Sequence, residues 1–255
     1  MEKLRVRPRA PPANPAYAHP VLCIIDARTG EPAPAAPAPR APTRVVAHAA
    51  EGDTTALRVL LVADLLVRGL ELAGTPVWAT AADAPEPGRL REHAAALGIR
   101  PFEEAGAGPG TGRTVHVLRE GGTLPDGPAI AVAPAHPAEP DLADPDALRL
   151  ALLRRHHHAR VGLDTAALDD ARVTLAHLRG SVAAWARQPS RPVPGEVRDR
   201  LRAAWEDDLD APGVLEVLRA VESDPGLPDG ARFEICAYAD RFLALHLTRD
   251  LGAPA

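Results

Sequence analysis

The chain has 255 residues, enough to bury a sizeable core, and its 46% hydrophobic and 25% charged residues fall in the ordinary globular range. It has 28 prolines, 3% aromatics and a single lysine, Lys3, and the missing lysines exclude a G-x-x-x-x-G-K-[ST] phosphate loop and, beyond residue 3, lysine Schiff-base or general-base chemistry. The formal net charge of −5 argues against a broad electrostatic grip on nucleic acid, and no DNA partner is expected.

Residues 1–20 form a proline-rich tail, expected to be extended or disordered, without the continuous apolar stretch of a secretory signal. No run approaches 18 uninterrupted apolar residues, so no membrane span is expected. Cys23 and Cys236 lie far apart and make no C-x-x-C motif, which fits a reducing cytoplasm. "VLCIIDARTGEPAP" (21–34) predicts a short strand and a Thr-Gly turn, while "EPAPAAPAPRAP" (31–42) is low-complexity and is not expected to be regular. "TRVVAHAA" (43–50) predicts a strand, "TTALRVLLVADLLVRGLELAG" (54–74) a helix capped by Thr54 or Thr55 and stopped by Gly74, and "TPVWATAA" (75–82) another strand. That order is a parallel βαβ unit. A helix over 87–99 and strands over 113–118 and 129–134 extend the α/β layer across residues 21–135.

From Asp144 to the end at residue 255 the pattern is helical, with five segments forming an all-α bundle. Asp144 caps the first helix with Pro145 in its first turn, and Asp210 and Pro212 repeat the device in "WEDDLDAPG" (205–213). Leu168, Ala171, Leu175, Leu178, Val182 and Trp185 recur at 3- and 4-residue steps, a seam for a partner helix within the chain or, in a scaffold reading, for a homodimer.

"ALLRRHHHAR" (151–160) raises three possibilities. Side chains at successive helical positions diverge by about 100°, so no more than two of His156, His157 and His158 are expected to reach one metal, and no metal site is predicted. The cations suit the negative end of a helix dipole. Arg154, Arg155, His157, His158 and Arg160 also form a local candidate surface for RNA or a protein partner. "GAGPGTGR" (106–113) satisfies no G-x-G-x-x-G offset and is expected to be a flexible loop. No catalytic nucleophile and base can be chosen from spacing.

The order of the segments is more informative. Asp144, Pro145, Asp146, Ala147 and Arg149, followed by Asp207, Asp208, Leu209, Asp210 and Pro212, resemble the C-terminal helical region of cysteinyl-tRNA synthetases and of the related mycothiol-pathway cysteine ligase. His157 or His158 with Arg160 stands where that family has His-Tyr-Arg. "VLCIIDARTGEPAP" is similar to the family's opening strand and turn, Arg58, Asp64 and Gly74 match its first Rossmann helix in register, and "LREHAAALGIRP" resembles a later helix. The resemblance implies a reduced Rossmann-like layer followed by the bundle. It also implies what is missing. Asp53, Thr54, Thr55 and Ala56 occupy the place of the family's His-Ile-Gly-His motif. Its Lys-Met-Ser-Lys-Ser loop has no counterpart in a chain whose one lysine is Lys3, and no cysteine between Cys23 and Cys236 is available for its thiol-sensing zinc. Neither ATP nor zinc is therefore expected as a cofactor.

Together these features predict a truncated, degenerate, non-catalytic paralogue that is cytoplasmic and binds tRNA or a protein partner. The excess of acidic residues over arginines in 144–255 favours a protein. The alternative is a divergent ATP-dependent aminoacyl ligase with a rebuilt site, in which Asp53, Thr54, Thr55 and Arg58 at a helix N-terminus are the remnant nucleotide contacts.

Overall fold

A computed structural model describes residues 21–36, 42–82, 87–104 and 112–252. The tail over 1–20 and most of the glycine-dense 106–113 segment lie outside the described residues.

β1 (Cys23–Ile25) and β2 (Pro32–Pro34) form an antiparallel hairpin, with Gly30 at φ +74° in the turn that only a residue without a Cβ adopts readily. This corrects the expectation that the stretch from residue 31 is irregular. Pro32 and Pro34 lack an N–H, but they sit on a two-stranded ribbon whose other edge needs no donor, and Ala33 between them faces Ile24. Ala35 and Ala36 then enter the core.

The central sheet is parallel throughout. It contains β3 (Thr43–His48), β4 (Val77–Ala82), β5 (Glu103–Glu104), β6 (Arg113–Arg119) and β7 (Ala129–Val132) in the spatial order β5-β4-β3-β6-β7. The first strand thus lies in the middle and the order reverses between β3 and β6, as in doubly wound Rossmann-like sheets. Alternation selects the faces: Thr43, Val45 and Ala47 are buried while Arg44, Val46 and His48 are half-buried. α1 (Thr54–Leu72) crosses from β3 to β4 and α2 (Pro87–Ala96) packs beside it. Nearly every residue of α1 is buried, so it is the central helix of the molecule and not an amphipathic cover. Asp53, not Thr54 or Thr55, is its N-cap, because the Asp53 carboxylate accepts the Ala56 N–H at 2.8 Å while both threonines lie inside.

Five helices follow: α3 (Pro145–Leu153), α4 (Thr165–Trp185), α5 (Gly195–Glu206), α6 (Ala211–Ser223) and α7 (Asp229–Leu243). Asp144 and Asp210 cap α3 and α6 with proline in the first turn, as the sequence predicts. The α4 seam is buried against α3 and α7 within the chain, so it is not a free homodimer face. Arg179 takes the buried place expected for Leu178 and donates to the Leu245 and His246 carbonyls and to Asp146.

The layer and the bundle share one hydrophobic core, and α1 packs directly on α7. A short parallel pair, β8 (Ala135–His136) with β9 (Val161–Gly162), stitches them together. So does a buried ion cluster. Asp64 of α1 accepts from Arg68 (2.8 Å), Arg100 (3.1 Å) and Arg149 of α3 (3.3 Å). Arg149 is fully buried and also donates to the Leu97 and Leu243 carbonyls, so every side of its guanidinium is answered.

Candidate functional site

Two places concentrate polar chemistry, and both lie near the carboxyl ends of the central strands. The first is the N-terminus of α1, opposite the point where the strand order reverses, the position at which open α/β sheets bind ligands. A helix N-terminus binds anions through its unpaired amides. Here the chain itself supplies the acceptors. The Asp53 carboxylate takes the Ala56 amide, and the Ala138 carbonyl takes both the Thr54 N–H (2.7 Å) and the Thr54 hydroxyl (2.9 Å). The Thr55 hydroxyl accepts from the Ala135 N–H at 3.1 Å. In front of the cap, Arg119 pairs with Glu51 and lies 3.9 Å from Asp53. Asp53, Thr54 and Thr55 are thus brought together as the sequence suggested, with their hydrogen-bonding groups turned to the protein's own backbone.

Arg58, one turn further along α1, is almost wholly buried and reaches away from the helix N-terminus. Its guanidinium donates to four backbone carbonyls: Ala133 (2.8 Å), Ala159 (2.7 Å), Arg155 (3.2 Å) and His156 (2.8 Å). Burial pulls its pKa down to about 10, which still leaves it charged at neutral pH. This clamp explains a departure from expectation: α3 ends at Leu153, and the histidines do not continue it. Carbonyls that would have served a longer helix are taken by Arg58 instead.

The second place is the turn that this clamp creates. Freed from helical geometry, His156, His157 and His158 are not spread by about 100° steps, which corrects the premise on which a metal was excluded. Their rings sit with centroids 4.2–5.1 Å apart. All three Nε2 atoms face Asp208, at 2.7 Å (His158), 3.5 Å (His157) and 3.8 Å (His156) from its Oδ2. His156 Nε2 is also 3.1 Å from the Asp208 carbonyl. Asp208 lies in the α5–α6 junction at φ +50°, followed by Leu209 at φ +58°, two left-handed residues that are not glycine. β1 holds them there: the Asp208 N–H donates to the Cys23 carbonyl (2.9 Å), and the Ile25 N–H donates to Asp208 Oδ1 (2.8 Å).

The four groups are electrostatically coupled. Burial pushes the His157 imidazole down to about 3, with Asp208 opposing and the neighbouring cations reinforcing, so His157 is neutral at pH 7. His158 is raised, first by its hydrogen bond to Asp208, and its ring also bonds the Ala131 backbone carbonyl. For Asp208, burial works upward, but the His158 hydrogen bond, the His157 ring and the Ile25 amide outweigh it and hold the carboxyl below its ordinary value.

The arginines of the predicted RNA or partner surface are divided. Arg154 is tied to Asp170 and to the Thr174 hydroxyl, whereas Arg155 and Arg160 are exposed. His157 faces the interior, so it is no part of that surface. Asp208, which the sequence offers only as part of the acidic junction, is the residue on which the three histidines converge. It lay within a recognised acidic junction, but nothing local shows that the junction bends back onto β1 and the histidine turn.

No family model matches the chain. Curated proteins named L-cysteine:1D-myo-inositol 2-amino-2-deoxy-alpha-D-glucopyranoside ligase match parts of it, three of them as follows. The one from Parafrankia sp. is 46% identical over 78 residues, 31% of this chain and 17% of its own length. That from Acidothermus cellulolyticus is 38% identical over 110 residues (41% and 25%), and that from Streptosporangium roseum 40% over 113 residues (44% and 22%). Over those stretches, this chain is similar to the cysteine ligases. The matches span a quarter or less of the ligases' own length. The synthetase-like resemblance therefore has curated ligase counterparts over part of the chain. None of the described helices is long and apolar enough to cross a membrane.

Proposed function

We propose that this protein is a non-catalytic relative of the cysteine ligases and acts by binding, with a protein as the favoured partner and tRNA as the lesser one. One observation carries the reading: the α1 N-terminus, where a nucleotide phosphate would dock, is filled by the Asp53 carboxylate and the Ala138 carbonyl. A phosphate entering there meets a carboxylate of its own sign and a carbonyl oxygen, and must break at least two hydrogen bonds to reach the amides. Arg58, the nearest buried cation, has its donors engaged by four carbonyls. The sequence adds that no lysine beyond Lys3 and no pair of nearby cysteines exists to restore phosphate or thiol contacts. The preference for a protein over tRNA rests on net charge and on the engagement of Arg154, which leaves Arg155 and Arg160 as a small exposed basic pair.

The competing reading is a divergent ligase, and the names of the relatives favour it. Cysteine-dependent ATP–pyrophosphate exchange separates the two. The expected result on folded protein is no exchange above a blank and no saturable ATP binding. Exchange that requires cysteine overturns the proposal and directs attention to residues 53–58. A tRNA mobility shift that weakens steeply with salt replaces the protein partner by tRNA.

A further inference from the structure

Among the described residues, His156, His157, His158 and Asp208 bring one donor atom each to within 4.8 Å of one another. We propose that these four, through the three Nε2 atoms and Asp208 Oδ2, form a structural site for a divalent transition metal, zinc first. The inference is independent of whether the chain is catalytic.

Three observations support it. First, His157 is buried and its Nε2 has no hydrogen-bond partner while facing the Asp208 carboxylate from 3.5 Å. A buried polar nitrogen left without a partner is costly, and a lone pair held beside a carboxylate by two other imidazoles is what a metal satisfies. Second, one histidine would suffice to pair Asp208, yet three rings converge on the same oxygen. Tetrahedral zinc with bonds of about 2.0–2.1 Å sets its ligand atoms about 3.3 Å apart. The distances of 2.7, 3.5 and 3.8 Å to Oδ2 bracket that spacing, and all four donor atoms lie within 4.8 Å of one another. Third, the outer contacts have the form that metal ligands use. Asp208 Oδ1 is fixed by the Ile25 amide, leaving Oδ2 to the rings. The left-handed pair Asp208–Leu209 is the strained backbone that delivers this carboxylate.

Imidazole and carboxylate donors suit zinc, cobalt or nickel and are poor for calcium or magnesium, which prefer all-oxygen cages. With four protein ligands and no open position, the site is structural. It would pin the α3–α4 turn to the α5–α6 junction and to β1. Two features oppose the ion: His156 Nε2 must give up the Asp208 carbonyl, and the Arg58 guanidinium lies behind the His156 backbone. The four carbonyls around Arg58 offset the second.

The test is cobalt binding to the full chain, stripped with a chelator and carrying no histidine tag. The expected result is one equivalent of Co2+ with the intense visible bands of tetrahedral coordination, displaced by Zn2+, and a rise in melting temperature with Zn2+. His158→Gln and Asp208→Asn, which keep the fold's other contacts, each weaken binding by more than about 100-fold, beyond what outer contacts produce. His177→Gln, on the exposed face of α4, changes nothing. Wild-type protein that binds no Co2+ at micromolar concentration, or binding that survives both variants, overturns the proposal.

Discussion

The α1 N-terminus and the histidine turn are opposites. The first has the position, helix polarity and family resemblance of a ligand site, and the chain has filled it with its own acceptors. The second has the sequence of an ordinary helix end, yet three donors meet a carboxylate there and one nitrogen is left unanswered. A site is defined by unsatisfied, convergent groups and not by its place in a fold. Arg58 links the two: rooted in α1, it holds the carbonyls of Arg155, His156 and Ala159 and thereby shapes the turn.

That link supplies the largest expected effect. Arg58→Met removes the charged donor from four carbonyls, one bond buried and three partly buried, so a loss of about 3 kcal/mol is expected in urea denaturation. A loss under about 1 kcal/mol would mean that the turn holds its shape without the clamp, and the comparison would lose its hinge. Asp64→Asn should cost about 3 kcal/mol by the same assay, since it weakens the partner of the fully buried Arg149. Asp53→Ala removes a cap and should cost about 1 kcal/mol, without producing ATP–pyrophosphate exchange. Appearance of exchange in that variant would show that the plug, and not the missing motifs, suppresses activity.

His157→Leu sharpens the contrast from the other side. In chelated protein, replacing an unpartnered buried imidazole by an apolar side chain should leave the melting temperature nearly unchanged, while the zinc-dependent rise disappears. A large loss in chelated protein would show that His157 is already satisfied there.

The smallest effect is a pH dependence away from both places. Burial works to raise the Asp146 carboxyl, but Arg179, Arg249 and His246 outweigh it and hold it below the ordinary value. A depressed carboxylate contributes stability above its unfolded pKa and loses it as pH falls through the folded one. The melting-temperature advantage of the parent over Asp146→Asn should therefore be full above about pH 5 and shrink as pH falls below the ordinary aspartate range. An advantage that persists at the lowest pH would assign Asp146 a packing role instead.

Much of the fold could be read locally. The parallel βαβ unit, the five C-terminal helices and the caps Asp144 and Asp210 follow from apolar period, Gly74 and aspartate–proline pairs. What failed locally failed for tertiary reasons. Pro32–Pro34 pairs because β1 presents an edge beside it, and Arg179 replaces Leu178 in the seam because the Leu245 and His246 carbonyls need a donor. Asp53 displaces Thr54 and Thr55 as cap because the Ala135 and Ala138 backbone occupies the threonines.

By itself the sequence determined the elements, their order and the absence of a lysine phosphate loop, because these depend on spacing along one chain. The tertiary structure decided which groups are left with something to bind. His156, His157 and His158 became one cluster when Arg58 ended α3, and the carboxylate they face comes from about 50 residues away, carried by a left-handed turn held on β1. Convergence of that kind is set by which distant backbone groups compete for each donor, and no window along the chain contains both sides of the competition.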